Sequence, residues 1–180
     1  MATAPARPAR RREGVVSDSQ WLRFYADGGL DARGRRLEEI LAWDDAALEA
    51  VHDYIQWLFP LPEPSAFNPA APLLAHADIA AFRANPALRA RLLAALARMR
   101  RFYGLAGEDA QAAGQRAWLT PGNHNFLRIT RILRSLTLLG CAPEARALLG
   151  ELERLAAGPA GTVIGERTLR FWREAVRLKL

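Results

Sequence analysis

Residues 123–140 read NHNFLRITRILRSLTLLG. Phe126, Ile129, Leu133, Leu136 and Leu139 recur at spacings of three and four, the repeat that lines apolar side chains along one face of an α-helix. Asn123 stands where an N-cap belongs, and Gly140 where a left-handed residue closes a helix. A helix of this length is marginal alone in water, so its stripe requires partners elsewhere in the chain.

Working outward, those partners are helices too. Upstream, Asn85-Pro86 is a cap followed by a first-turn proline, opening a helix to Tyr103 with Leu88, Leu92, Leu96, Met99 and Tyr103 inward. Downstream, Pro143 begins an antiparallel partner through about Ala156. A Gly-Pro-Ala-Gly loop at 158–161 then leads to a last helix bearing Leu169, Phe171, Trp172, Val176 and Leu178. A polar linker runs from Gly104 to Gln115. Nearer the start, Ser17 is positioned to cap a short helix with Trp21, Leu22, Phe24 and Tyr25, which stops at Asp27-Gly28-Gly29. Leu37, Ile40, Leu41 and Trp43 make another helical stripe. Asp44-Asp45 read as the cap and first turn of one longer helix through about Leu58, with Leu48, Val51, Ile55 and Leu58 inward and Glu49, His52, Asp53 and Gln56 on a polar flank. Ile79–Arg83 read as a short helix.

Between Phe59 and Pro72 lie Pro60, Pro62, Pro64, Pro69 and Pro72, which deny backbone donors and extend the residues before them. Loops of this length in compact domains often serve function. The fold class is therefore all-α: a single compact domain over 17–180, of about six or seven helices, with a long proline-rich loop.

Composition agrees. In 180 residues, 51% are hydrophobic, enough to bury a core without staples. Cys141 is the single cysteine and has no disulfide partner, no secretory core opens the chain, and apolar runs such as Leu92–Ala97 fall short of the roughly 20 residues a bilayer span needs. The expectation is a cytoplasmic protein with no transmembrane segment. The net charge of +6 suggests nucleic acid, but Met1–Val16 carries Arg7, Arg10, Arg11 and Arg12 against Glu13, half of that charge. This tail of Ala, Pro and Arg has nothing to bury and is expected to be disordered, so a nucleic-acid partner is a reading of the tail rather than of the fold.

One stretch is more specific: His52-Asp53-Tyr54-Ile55-Gln56-Trp57-Leu58-Phe59-Pro60-Leu61, followed by Pro64-Ser65, Asn68-Pro69 and Ala71-Pro72-Leu73. It resembles the conserved region of the opioid growth factor receptor family. The resemblance extends through Phe24-Tyr25, Trp43, Leu48-Glu49 and the run from Asn125 to Leu136, covering about Trp21 to Gly140. It implies a helical scaffold and a pocket. Vertebrate members of the family are receptors for an enkephalin peptide and carry further C-terminal regions. The heavy use of Ala and Arg points to a high-GC, bacterial genome, in which an opioid ligand is not expected.

The candidate chemistry is that of a binding site. His52, His76, His124 and Cys141 show no zinc-type spacing, no Gly-rich phosphate loop occurs, and no serine sits on a nucleophile elbow, so neither a metal nor a cofactor is expected. Arg128 and Arg131, three apart, share a flank of their helix with Asn125 one turn earlier, and Asn123, His124 and the first amides of that helix add donors. With the proline loop nearby, Tyr54, Trp57, Phe59 and Asn68 supply an aromatic and amide wall beside the basic one, and His52 and Gln56 a polar edge. Such a site suits a peptide carboxylate, a small anion or an acidic protein partner. The competing structural reading pairs these arginines with Glu38, Glu39, Asp53 or Glu49. An enzyme or small-molecule sensor requires His52, Arg128 and Arg131 to lie within about 10 Å of one another.

Overall fold

The computed structural model describes residues 19–26, 28–105 and 116–177. Within them the chain forms nine helices and no strand, its only ladder contact being an isolated bridge between Leu61 and Leu73. The tail expected over residues 1–16, and most of the 104–115 linker, lie outside the described residues.

Two long helices organise the rest. α6 (Pro86–Phe102) starts as its sequence dictates, with the Asn85 side chain accepting from the Ala87 and Leu88 amides. α7 (Asn125–Leu138) begins where Asn123 Oδ1 accepts the Asn125 N–H at 2.9 Å. It ends where Gly140 takes φ +84° and the Cys141 N–H returns to the Leu136 carbonyl at 2.8 Å. Around α6 pack α1 (Gln20–Ala26), α2 (Leu37–Leu41) and α5 (His76–Arg83). Against α7 pack α8 (Ala142–Ala156) and α9 (Gly161–Ala175), the latter broken at Gly165, whose φ of 71° only glycine adopts readily.

Local differences from the sequence reading have local causes. Ser19 Oγ accepts the Leu22 N–H at the start of α1, while Ser17, the cap expected from the sequence, lies outside the described residues. α5 starts one turn before Ile79 because the Asp78 carboxylate closes on the Ala75 amide.

The larger correction concerns the helix expected from Asp45 to Leu58. Asp44 caps it, accepting from the Ala47 N–H at 2.7 Å, but this helix, α3 (Asp45–Ala50), ends at Ala50. Val51 is extended (φ −91°, ψ 133°), and α4 (Ile55–Leu58) starts afresh. Carbonyls freed at the break find partners from outside the segment. Arg128 donates to Leu48 O and Val51 O at 2.9 Å each, and the Tyr54 hydroxyl also reaches Leu48 O, at 3.1 Å. The break disperses the expected polar flank: Asp53 turns to Arg33 and Arg35, while Glu49 turns toward α7. Leu48, Ile55 and Leu58 remain inward.

Aromatic residues join the elements. Trp21 stacks on Phe82 and donates its indole N–H to Trp57 O, and Tyr25 donates to Leu58 O at 2.6 Å, so α1 clamps α4. On the other side Tyr103, Trp118, Phe126 and Trp172 form an edge-to-face chain, with the Trp118 and Trp172 indoles donating to Tyr103 O and Phe126 O. Each buried indole in these contacts has its acceptor, as burial demands.

Candidate functional site

The outer flank of α7, the α3–α4 break and the proline loop enclose an open cavity of about 540 Å³. α7, with His124 just before its first residue, contributes His124, Leu127, Arg128, Thr130, Arg131 and Arg134, which fall on one side of the helix by spacings of three and four. The break supplies His52, Ile55 and Gln56, and the loop supplies Leu61, Ser65 and Phe67.

The three arginines differ in how far they are already engaged. Arg128, 5% exposed, donates to Leu48 O, Val51 O, Asn125 Oδ1 and His52 Nδ1, and lies over the Tyr54 ring with Glu49 at 3.9 Å. An arginine only donates, so His52 Nδ1 is the acceptor in that 3.0 Å contact and the ring proton sits on Nε2. Arg134 pairs with Glu63 of the proline loop, tying loop to helix. Arg131 is half-buried and donates to Phe59 O at 3.2 Å, with no carboxylate partner among the described residues. Burial, and then the neighbouring Arg134 charge, pull its pKa below the usual arginine value. The Glu63 carboxylate opposes the shift without forming an ion pair with Arg131, and a cation held under that penalty is positioned to take an anion of its own.

Two histidines stand at the cavity's end, His52 and His124, with rings edge to face at 4.9 Å. Burial and the Arg128 charge lower the His124 pKa, although its Nε2 lies 3.5 Å from Glu49 Oε1.

Of the residues the sequence singles out, the cavity brings together His52, Gln56, Arg128 and Arg131. Gln56 is buried, and with its nitrogen turned to the main chain it donates to His52 O and Asp53 O. The others stand elsewhere. Tyr54 is wholly buried beside Trp43 and Met99. Trp57 is buried edge-on to Phe24. Asn125 lies behind Arg128, its amide shared between Glu49 and Asn123 and its oxygen facing Tyr103. Asn68 turns its oxygen to the Ala70 amide within the loop. Leu127, Thr130 and Arg134 are additions to the expected set, and their spacing from His124 and Arg131 along α7 was the available signal. The Ser65 and Phe67 positions had no such signal, because a proline loop has no period.

Fold and cavity together define a class: a small all-helical domain with an open cation-lined cavity on the flank of its central helix. Among the described residues no group of side chains could hold a metal ion, and no helix is long and apolar enough to cross a membrane. Within that class the chain belongs to the opioid growth factor receptor family, the pattern described as the opioid growth factor receptor (OGFr) conserved region matching residues 16–177. The chain is 41% identical over 147 residues to the opioid growth factor receptor of Mus musculus, an overlap covering 72% of this chain and 23% of that protein. It is 40% identical over 146 residues to the Homo sapiens receptor, covering 72% and 20%. It is 38% identical over 131 residues to opioid growth factor receptor-like protein 1 of Xenopus tropicalis, covering 66% and 25%. The chain thus spans a quarter or less of the length of these relatives. No solved structure matches it.

Proposed function

We propose that this protein is a non-enzymatic binding module whose α7 cavity takes the anionic group of a ligand, a peptide carboxylate, a small anion or an acidic partner. One observation carries the reading: Arg131 faces the cavity half-buried and without a carboxylate partner among the described residues. Such a cation gains more from a bound anion than an exposed one does, because water screens it less. Membership of a family whose relatives are named receptors agrees with a binding role. The test is a titration of the full chain with inorganic phosphate and with a short glutamate-rich peptide, followed at constant ionic strength through the backbone amide resonances of Phe67, Leu127 and Thr130, which line the cavity and are present in the variant as well. Saturable shifts that vanish in Arg131→Gln are expected; equal responses in both proteins would sink the reading.

A second reading, an enzyme or small-molecule sensor, is favoured by the meeting of His52, Arg128 and Arg131 in one cavity. His52 is poorly suited to act as its base, since Nδ1 accepts from Arg128 and Nε2 already carries the proton. His124 beside Glu49 is the better placed group. Turnover of a defined metabolite, lost in His124→Ala, would establish this reading instead.

A further inference from the structure

The charge balance and the walls of the cavity narrow its ligand further, on the reading just proposed. Three guanidinium groups face the cavity, and two have a carboxylate: Glu63 on Arg134 and Glu49 near Arg128. Three cations thus face two carboxylates, Arg131 makes no ion pair of its own among the described residues and Glu63, already on Arg134, acts on it only from further off, so one negative charge completes the site. A second would enter unpaired, at the cost that burial imposes on an unpaired charge.

Beside the arginines and the polar edge of His52, Gln56, Ser65, His124 and Thr130, the cavity has an apolar wall. Ile55 and Leu61 are buried in its wall, while Phe67, 84% exposed, and Leu127, 62% exposed, present large side chains at its mouth. Phe67 and Leu127 are among the most exposed large apolar residues described, and both line the cavity that Arg131 faces. Isolated exposed apolar residues need no explanation, but apolar residues gathered around a cavity of ligand size do.

We infer that the cavity accepts an apolar monoanion, a carboxylate on an unbranched hydrocarbon body, with the carboxylate on Arg131 and the chain along Leu61, Phe67 and Leu127. The guanidinium fork suits a carboxylate, and the chain replaces water over the two exposed side chains.

The experiment is calorimetric titration of the full chain with decanoate, decan-1-ol, acetate and decyl phosphate, each below its aggregation concentration. Decanoate is expected to bind at least tenfold more tightly than decan-1-ol or acetate. Arg131→Gln brings decanoate down to the level of decan-1-ol, and Leu127→Ser weakens decanoate several-fold. Thermal unfolding of both variants confirms that they are folded. If acetate equals decanoate and depends on Arg131, the apolar body is wrong while anion binding stands. Decyl phosphate tenfold tighter than decanoate overturns the choice of a monoanion. If decan-1-ol equals decanoate, and Arg131→Gln alters neither, or if no probe binds, this inference and the anion-binding reading both fall.

Discussion

Arg128 and Leu48 are 80 residues apart in sequence, and the guanidinium of one donates to the carbonyl of the other at 2.9 Å. The same group takes Val51 O, so α7 closes the C-terminal end of α3 with a positive charge where the helix dipole favours one. Removing it takes the described donor from Val51 O, leaves Leu48 O with the Tyr54 hydroxyl alone, and empties a buried place. At about 1–3 kcal/mol for each buried group left without a partner, we expect Arg128→Ala to lose about 3 kcal/mol in urea unfolding. A loss below about 1 kcal/mol would show that water replaces the guanidinium at no cost.

Arg131 offers the contrast. It makes one hydrogen bond, to Phe59 O, and has no carboxylate partner among the described residues. Arg131→Ala should therefore change the unfolding free energy by no more than about 1 kcal/mol, the net worth of one such bond. A strongly destabilised variant would make Arg131 a structural residue and remove the main support of the binding proposal.

Trp57 is 2% exposed and packed against Phe24, whereas Phe67 is 84% exposed. Truncating a large buried aromatic costs about 3–5 kcal/mol, and surface truncations stay within about 0.5 kcal/mol. Trp57→Ala and Phe67→Ala should separate by that margin in thermal or urea unfolding. Similar losses for the two would mean that the proline loop holds Phe67 against the fold in solution.

Glu63 neutralises Arg134 at the cavity. Glu63→Gln leaves a second cation without its counterion, and we expect it to strengthen decanoate or phosphate binding several-fold at low salt. The gain should shrink in 0.5 M sodium chloride, where screening acts within a few ångströms. Unchanged affinity at low salt would place Arg134 outside the electrostatics of the site.

His124 is held below its usual pKa of 6.5, first by burial and then by the Arg128 charge, with His52 adding to the shift and Glu49 opposing it. The unfolded chain therefore takes up this proton more readily than the folded one. Stability from this group is complete above about pH 6.5 and declines as the pH falls from there toward the folded-state value, below which the loss is complete. Chemical unfolding across pH 5 to 8 should show this slope, and His124→Gln should reduce it. An identical slope in the variant would assign it to another group.

The sequence by itself determined the helical class and the frame of the site. Asn85-Pro86 and the Phe126–Leu139 stripe fix α6 and α7, because caps and periodicity act within a few residues of one another. Arg128 and Arg131 were legible as neighbours for the same reason, three residues along one helix. Their different fates were not. Arg128 became a structural clamp and Arg131 a cavity residue because of carbonyls contributed by Leu48, Val51 and Phe59, 72 to 80 residues away. Tyr54 and Trp57 likewise read as pocket aromatics and became core, since burial depends on what packs opposite. The break at Val51 belongs to the same class of event. No residue there stops a helix, and tertiary structure decided it because donors from Arg128 and Tyr54 satisfy carbonyls that local pairing would otherwise have to serve.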